Sequence, residues 1–138
     1  MTAVTFSPIP DVPELDLVAT PAIAIDDTSV TTTARDVGGH DVAFHMAPIQ
    51  AVRVTTIDCF QAPSGLAHRL TRVHGATSSQ WLDELSAALA VIDPSATFME
   101  RAVHVIVPLG DNVLEVVAWT IEVTRPGAPL MSWPSHPA

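Results

Sequence analysis

One stretch alone carries apolar residues at helical spacing: Trp81, Leu85, Ala88, Leu89 and Ile92, a single stripe on one helix face. Across most of the chain between Leu15 and Thr124, apolar and β-branched residues instead recur at every second position, the period of a pleated strand. Many strands and one helix can bury their apolar faces together only if the helix lies on the sheet. The expected fold is therefore α+β: a mostly antiparallel β-sheet or partial barrel of about seven strands, with one amphipathic helix packed on one face.

The helix is expected to start at Thr77, with Gln80 three residues on as in a capping box. Asp83 and Glu84 lie in its first turn, where the helix dipole favours acids. Asp93-Pro94 stops it. Before the helix the pattern gives a strand from Leu15 to Ile25 interrupted at Pro21, and a threonine-rich strand from Val30 to Val37. A Gly38-Gly39 hairpin turn, a return strand ended by Pro48, a strand from Ala51 to Phe60 and a more polar one from Leu66 to His74 follow. After the helix comes a long hairpin, Phe98–Leu109 and Val113–Thr124, turning at Gly110-Asp111-Asn112. Both faces of its return arm are apolar around Val116 to Ala118, which marks a central strand covered on both sides. The organisation reads as a Pro-rich arm over 1–14, one α+β domain over 15–125, and a Pro-rich tail over 126–138 anchored by Trp133.

Apolar residues make up 48% of the 138, and mean hydropathy is +0.34, so the body is expected to be globular. Charged residues are only 15%, against about 25% in an average domain. A surface so poor in charge suits coverage by a partner. All six basic residues are arginine, and there is no lysine or tyrosine. That removes the lysine Schiff base, the P-loop lysine and the lysine general base. Codons for both missing types are AT-rich, so their absence fits a high-GC bacterial genome. With a net charge of −9, no basic patch and few aromatics, nucleic-acid binding lacks both its charge and its stacking platform. No apolar run approaches the ~18 residues of a membrane span, and Met1–Asp16 has neither part of a signal peptide. Cys59 is the only cysteine, which suits a reducing cytoplasm. Flanked by Asp58 and Phe60, it reads as an unreactive core residue.

Candidate chemistry is sparse. A two-residue turn at Gly38-Gly39 would set Asp36 opposite Asp41 with His45 on the same face, a hard-ion arrangement outweighed by a solvated hairpin end, so no metal is expected. His68, Arg72 and His74 alternate on one strand face and could clamp an anion or move protons near neutral pH. His104 stands in an apolar run, the setting of a satisfied core histidine. On a curved sheet it would share a pocket with Asp58, Glu115 or Trp119 and serve as a general base. Glu115 lies close to the turn, which favours exposure; among Leu114, Val116 and Val117, burial would raise its pKa. In the tail, Leu130, Met131 and Trp133 are apolar anchors on a stiff backbone, which docks at low ordering cost; folding over its own sheet is favoured over docking on another chain or remaining free.

Two readings follow. The leading one is a small acidic non-catalytic protein-interaction or assembly protein, contacting a protein partner or another copy of itself through a sheet edge, arm and tail. Trp133→Ala should then weaken association and leave the domain folded. The other is a cofactor-free acid/base enzyme (isomerase, cyclase or lyase) or a binding protein for a small apolar metabolite. It would use His104 or His68 as acid/base, Arg72 and His74 toward an anion, and Trp119 and Trp81 as walls. Neither reading calls for a cofactor, nucleic acid or membrane.

Overall fold

The computed structural model describes residues 6–18, 21–63, 66 and 70–134. Eight strands form one antiparallel sheet: β1 (Ser7–Pro8), β2 (Ala22–Ile25), β3 (Val30–Arg35), β4 (Asp41–Thr56), β5 (His74–Ala76), β6 (Val103–Pro108), β7 (Asn112–Thr124) and β8 (Met131–Trp133). Their order is β1-β5-β6-β7-β4-β3-β2, and β8 pairs with β7 as well. One helix, α1 (Gln80–Ile92), and a 3-10 turn (Phe98–Arg101) lie between β5 and β6. The α+β arrangement with one helix on an open antiparallel sheet is the one the residue pattern calls for.

The spine is the pairing of β4 with β7, from Ala43↔Thr124 to Thr56↔Asn112. From Val113 to Ala118 every residue of β7 is buried, so this strand is central and covered on both sides. The two faces have different cores. On one, Phe44, Met46, Val105, Val107, Leu114 and Val116 pack together, and Ile9, Val12 and Leu15 of the N-terminal segment close over them. On the other, Phe60, Leu70, Ile106 and Val113 form one cluster, and Leu82 of α1 packs with Ala102 and Val117 in a second. Truncating a fully buried side chain such as Leu114 to alanine costs about 2–5 kcal/mol.

Several elements depart from their expected bounds. Pro48 does not end the return strand: β4 runs through it for 16 residues. The ladder has a bulge between Ile49 and Ala51, and a bulge is where a strand tolerates a residue without an N–H. The turn after β3 is longer than Gly38-Gly39, with Arg35 rather than Asp36 opposite Asp41. Asp36 is drawn into the turn, where its carboxylate accepts from the N–H groups of Gly38 and His40 at 2.9 Å each. The Asp36–Asp41–His45 row therefore does not assemble. Leu15 is not in a regular strand; it bridges Asp36 and is buried. Of the expected 66–74 strand, the described residues Leu70 to Val73 lie in no regular strand, and β5 begins only at His74; Cys59 is exposed while Phe60 takes the buried place.

The segments read as arm and tail each put a short strand, from among their described residues, on the sheet. Ser7 and Pro8 pair with β5, and Ile9 and Val12 are buried. Met131 to Trp133 pairs with Ile121 to Val123, and Met131 and Trp133 pack against the first core. The ring of Trp133 lies where a Cβ on Gly75 would stand, 2.5 Å from it. Only glycine leaves room for that indole.

Candidate functional site

A continuous polar chain crosses the α1 side of the sheet. The register of β4, β7 and β6 sets Arg53 beside Glu115, and His104 one pleat further along. Arg53 grips Glu115 with two hydrogen bonds, Nε to Oε2 at 2.7 Å and Nη2 to Oε1 at 3.0 Å. His104 Nε2 meets Glu115 Oε1 at 2.9 Å, and His104 Nδ1 meets Ser79 Oγ at 2.9 Å. Ser79 is the N-cap of α1, and its Oγ also accepts from the Leu82 N–H at 3.1 Å. An ionised carboxylate only accepts, so Nε2 carries a proton. With the imidazole neutral, Nδ1 then accepts from the Ser79 hydroxyl. The order is hydroxyl, imidazole, carboxylate, guanidinium, the sequence of groups in a nucleophile–base–orienter set.

Burial alone would raise the Glu115 carboxyl. The hydrogen bonds from His104 and Arg53, together with the Arg53 charge, outweigh it and hold the group below the ordinary glutamate value. Glu115 is thus buried and ionised, not exposed as its nearness to the turn suggested. The chain is closed where a substrate would have to enter. His104 is 3% exposed, with the rings of Phe6 and Trp81 standing edge-on to it at 5.0 and 5.2 Å. Only Arg53 reaches water, its side chain 49% exposed, with its guanidinium 4.1 Å over the Trp81 ring. Among the described residues no buried side-chain nitrogen or oxygen lacks a partner, as in a network that ties elements together.

Of the residues singled out from sequence, His104 and Trp81 come together here. Trp119 does not join them: its Nε1–H donates to the Phe98 carbonyl at 3.0 Å, and Arg101 covers its ring. His68 lies outside the described residues. Arg72 is exposed and donates to the Val12 carbonyl at 3.4 Å; His74 donates from Nδ1 to the Arg72 carbonyl at 2.9 Å. In β8 and just before it, Leu130 is exposed while Met131 and Trp133 are half-buried. Ser79 and Arg53 were missed as site residues. Thr77 drew the cap because Gln80 completes a capping box with it, whereas Leu82 gives Ser79 no such signature. Arg53 had one usable signal: facing strands with opposite charges at Arg53 and Glu115.

The outer surface of α1 is the other unusual feature. Leu82 is its only buried residue, and Trp81, Leu85 and Leu89 are half-buried. The expected stripe is thus shifted: Ala88 and Ile92 are exposed, as are Ala87 and Ala90. Val91 and Ile92 stand 86% and 84% exposed, and Phe98 beyond the helix end is exposed too. Elsewhere, an open trough of about 690 Å³ runs over the ends of β3, β4 and β7. Arg35, Asp41 and Arg125 line it, with Arg35 and Asp41 paired at 3.6 Å, both largely exposed.

No helix among the described residues is long and apolar enough to cross a membrane. No protein-family model, curated protein or solved structure matches this chain.

Proposed function

We propose that the protein is a small acidic, non-catalytic interaction or assembly protein of the cytoplasm, and that α1 is its principal contact surface. The observation that carries this reading is the end of α1: Val91 and Ile92 lie almost wholly in water, on a helix whose last two turns carry no charge before Asp93. Two branched aliphatics and exposed alanines on one short helix form the kind of patch a partner covers. Leu130 extends the exposed apolar surface elsewhere. Met131 and Trp133 serve to hold β8 down, so Trp133→Ala tests folding more than association. The lone thiol of Cys59, exposed and unpaired, fits a reducing compartment.

Native mass spectrometry of tagged protein recovered gently from its own host tests the reading. The expected result is a homo-oligomer or a complex with a second polypeptide, lost in the Val91→Ser/Ile92→Ser variant. A monomer in both forms overturns it.

A second reading, a cofactor-free acid/base enzyme or small-metabolite binder, draws support from the Ser79–His104–Glu115 chain. His104 and Ser79 would act only once Phe6 and Trp81 swing aside. Recovery of a monomer carrying a small molecule, released by His104→Gln, would favour it.

A further inference from the structure

We infer that the partner of α1 is a basic amphipathic helix of another protein and not a second copy of this chain. The inference rests on the reading of α1 as a contact surface and adds what must cover it.

The shape comes first. Along the outward side of α1, Glu84, Ala87 and Val91 recur at three- and four-residue spacing, and all are exposed. That is the stripe a second helix reads. Ala87 and Ala90 are small, so another backbone can come close between Glu84 and Val91.

The charge then selects the partner. Asp83 and Glu84 stand on the first turns of α1, Asp93 at its end and Glu100 in the 3-10 turn that packs beside it; all four are exposed. The last turn of α1 holds no basic residue, although the carbonyls there carry the negative end of the helix dipole. Of the cations beside α1, Arg101 is laid over Trp119, and Arg53, over the Trp81 ring, is held by the Glu115 carboxylate. The patch is therefore apolar in the middle and acidic at both ends, and the arginines beside it are already engaged by Glu115 and Trp119.

A second copy would bring the same acids and no uncommitted cation. Stacked antiparallel about Ala87, two α1 helices would put Asp83 and Glu84 of each against the carbonyl end and Asp93 of the other, which is repulsive. A chain of net charge −9 adds long-range repulsion against its own kind and steers cations toward itself. A helix with leucines on one side and arginine or lysine flanking them meets every requirement at once.

Two peptide probes test this on the full-length protein: an 18-residue amphipathic helix of Leu and Arg, and its counterpart with Glu in place of Arg. Calorimetry should show saturable one-to-one binding of the Arg peptide and none of the Glu peptide. Val91→Ser/Ile92→Ser and Glu84→Gln/Asp93→Asn should each weaken the Arg peptide tenfold or more, with circular dichroism unchanged. Equal binding of the Arg peptide to both variants would mean diffuse attraction to an acidic protein, and overturns the inference, as does no binding. A homo-oligomer dissolved by Val91→Ser/Ile92→Ser also overturns it, yet leaves the contact role of α1 standing. A monomer from its own host that ignores the Arg peptide removes both.

Discussion

Glu115, on β7, ties several elements together. Its carboxylate joins β4 through Arg53, β6 through His104 and, by way of His104, the first turn of α1 through Ser79. Removing one member of a buried, hydrogen-bonded charge set leaves the others unpaired, at about 3–5 kcal/mol. Glu115→Ala is expected in the lower part of that range, because Arg53 can turn to water; urea denaturation measures it. The pH dependence has a definite sign. Glu115 is held below the glutamate value of 4.5 in the folded chain, so the stability it confers is complete above 4.5. That stability is lost as pH falls through the lowered folded-state value. Asp26 and Asp36 are lowered in the same direction, each mainly by backbone N–H groups in its own turn. Glu115→Gln should therefore give a shallower acid limb in a plot of urea midpoint against pH, without abolishing it. The sequence carried the His104 and Glu115 pairing as one option among several, since spacing alone does not fix which side chains of adjacent strands share a face. That needs the β6–β7 register, which is set where the Leu109 N–H donates to the Asn112 carbonyl across the turn.

At the scale of elements, α1 shows how a clear sequence pattern can be slightly misplaced. The helix exists where the apolar repeat put it and stops at Asp93. Its start lies two residues later than the Thr77 capping box implied, because Ser79 alone can satisfy both the Leu82 N–H and the His104 ring. Ser79→Ala is expected to cost about 2 kcal/mol, a lost cap plus an unpaired imidazole nitrogen, read as a fall in the denaturation midpoint with α1 fraying first. The turn of the buried stripe toward Leu82 has the same origin: the cap fixes the rotation of the helix on the sheet. The β6–β7 hairpin was legible from Val103 on, since both arms are dense in Val and Ile and Gly110 supplies the positive φ of 99° its turn requires, but the arm expected to start at Phe98 begins five residues later, because Phe98–Arg101 is a 3-10 turn. β4 was not, because a proline inside a strand reads as an end unless the bulge beside it is known. β8 was obscured by the prolines around it, although its apolar residues had already marked the segment as something other than free tail.

For the whole molecule, the pattern of many strands and one helix sufficed for the architecture, since a single helix and an antiparallel sheet leave few packings. It left open how the segments outside the periodic region are used: Ile9, Val12 and Leu15 become the cover of one core, and the tail, of the alternatives it offered, folds on its own sheet with Trp133 as the anchor. Gly75 is the test of that cover. Gly75→Ala would drive a methyl group into the Trp133 ring and displace it, at about 1–3 kcal/mol, visible as a shift in tryptophan emission that Trp133→Phe removes.

Ser7 pairs with Gly75 on the sheet edge, and Trp133 rests on the same glycine. Two short strands from distant parts of the sequence, neither long enough to persist alone, thus share one foothold. The consequence is kinetic. Amides of β1 and β8 should exchange with solvent as a single opening unit well before the β4–β7 spine does, and a change that frees either strand should raise the exchange rate of both.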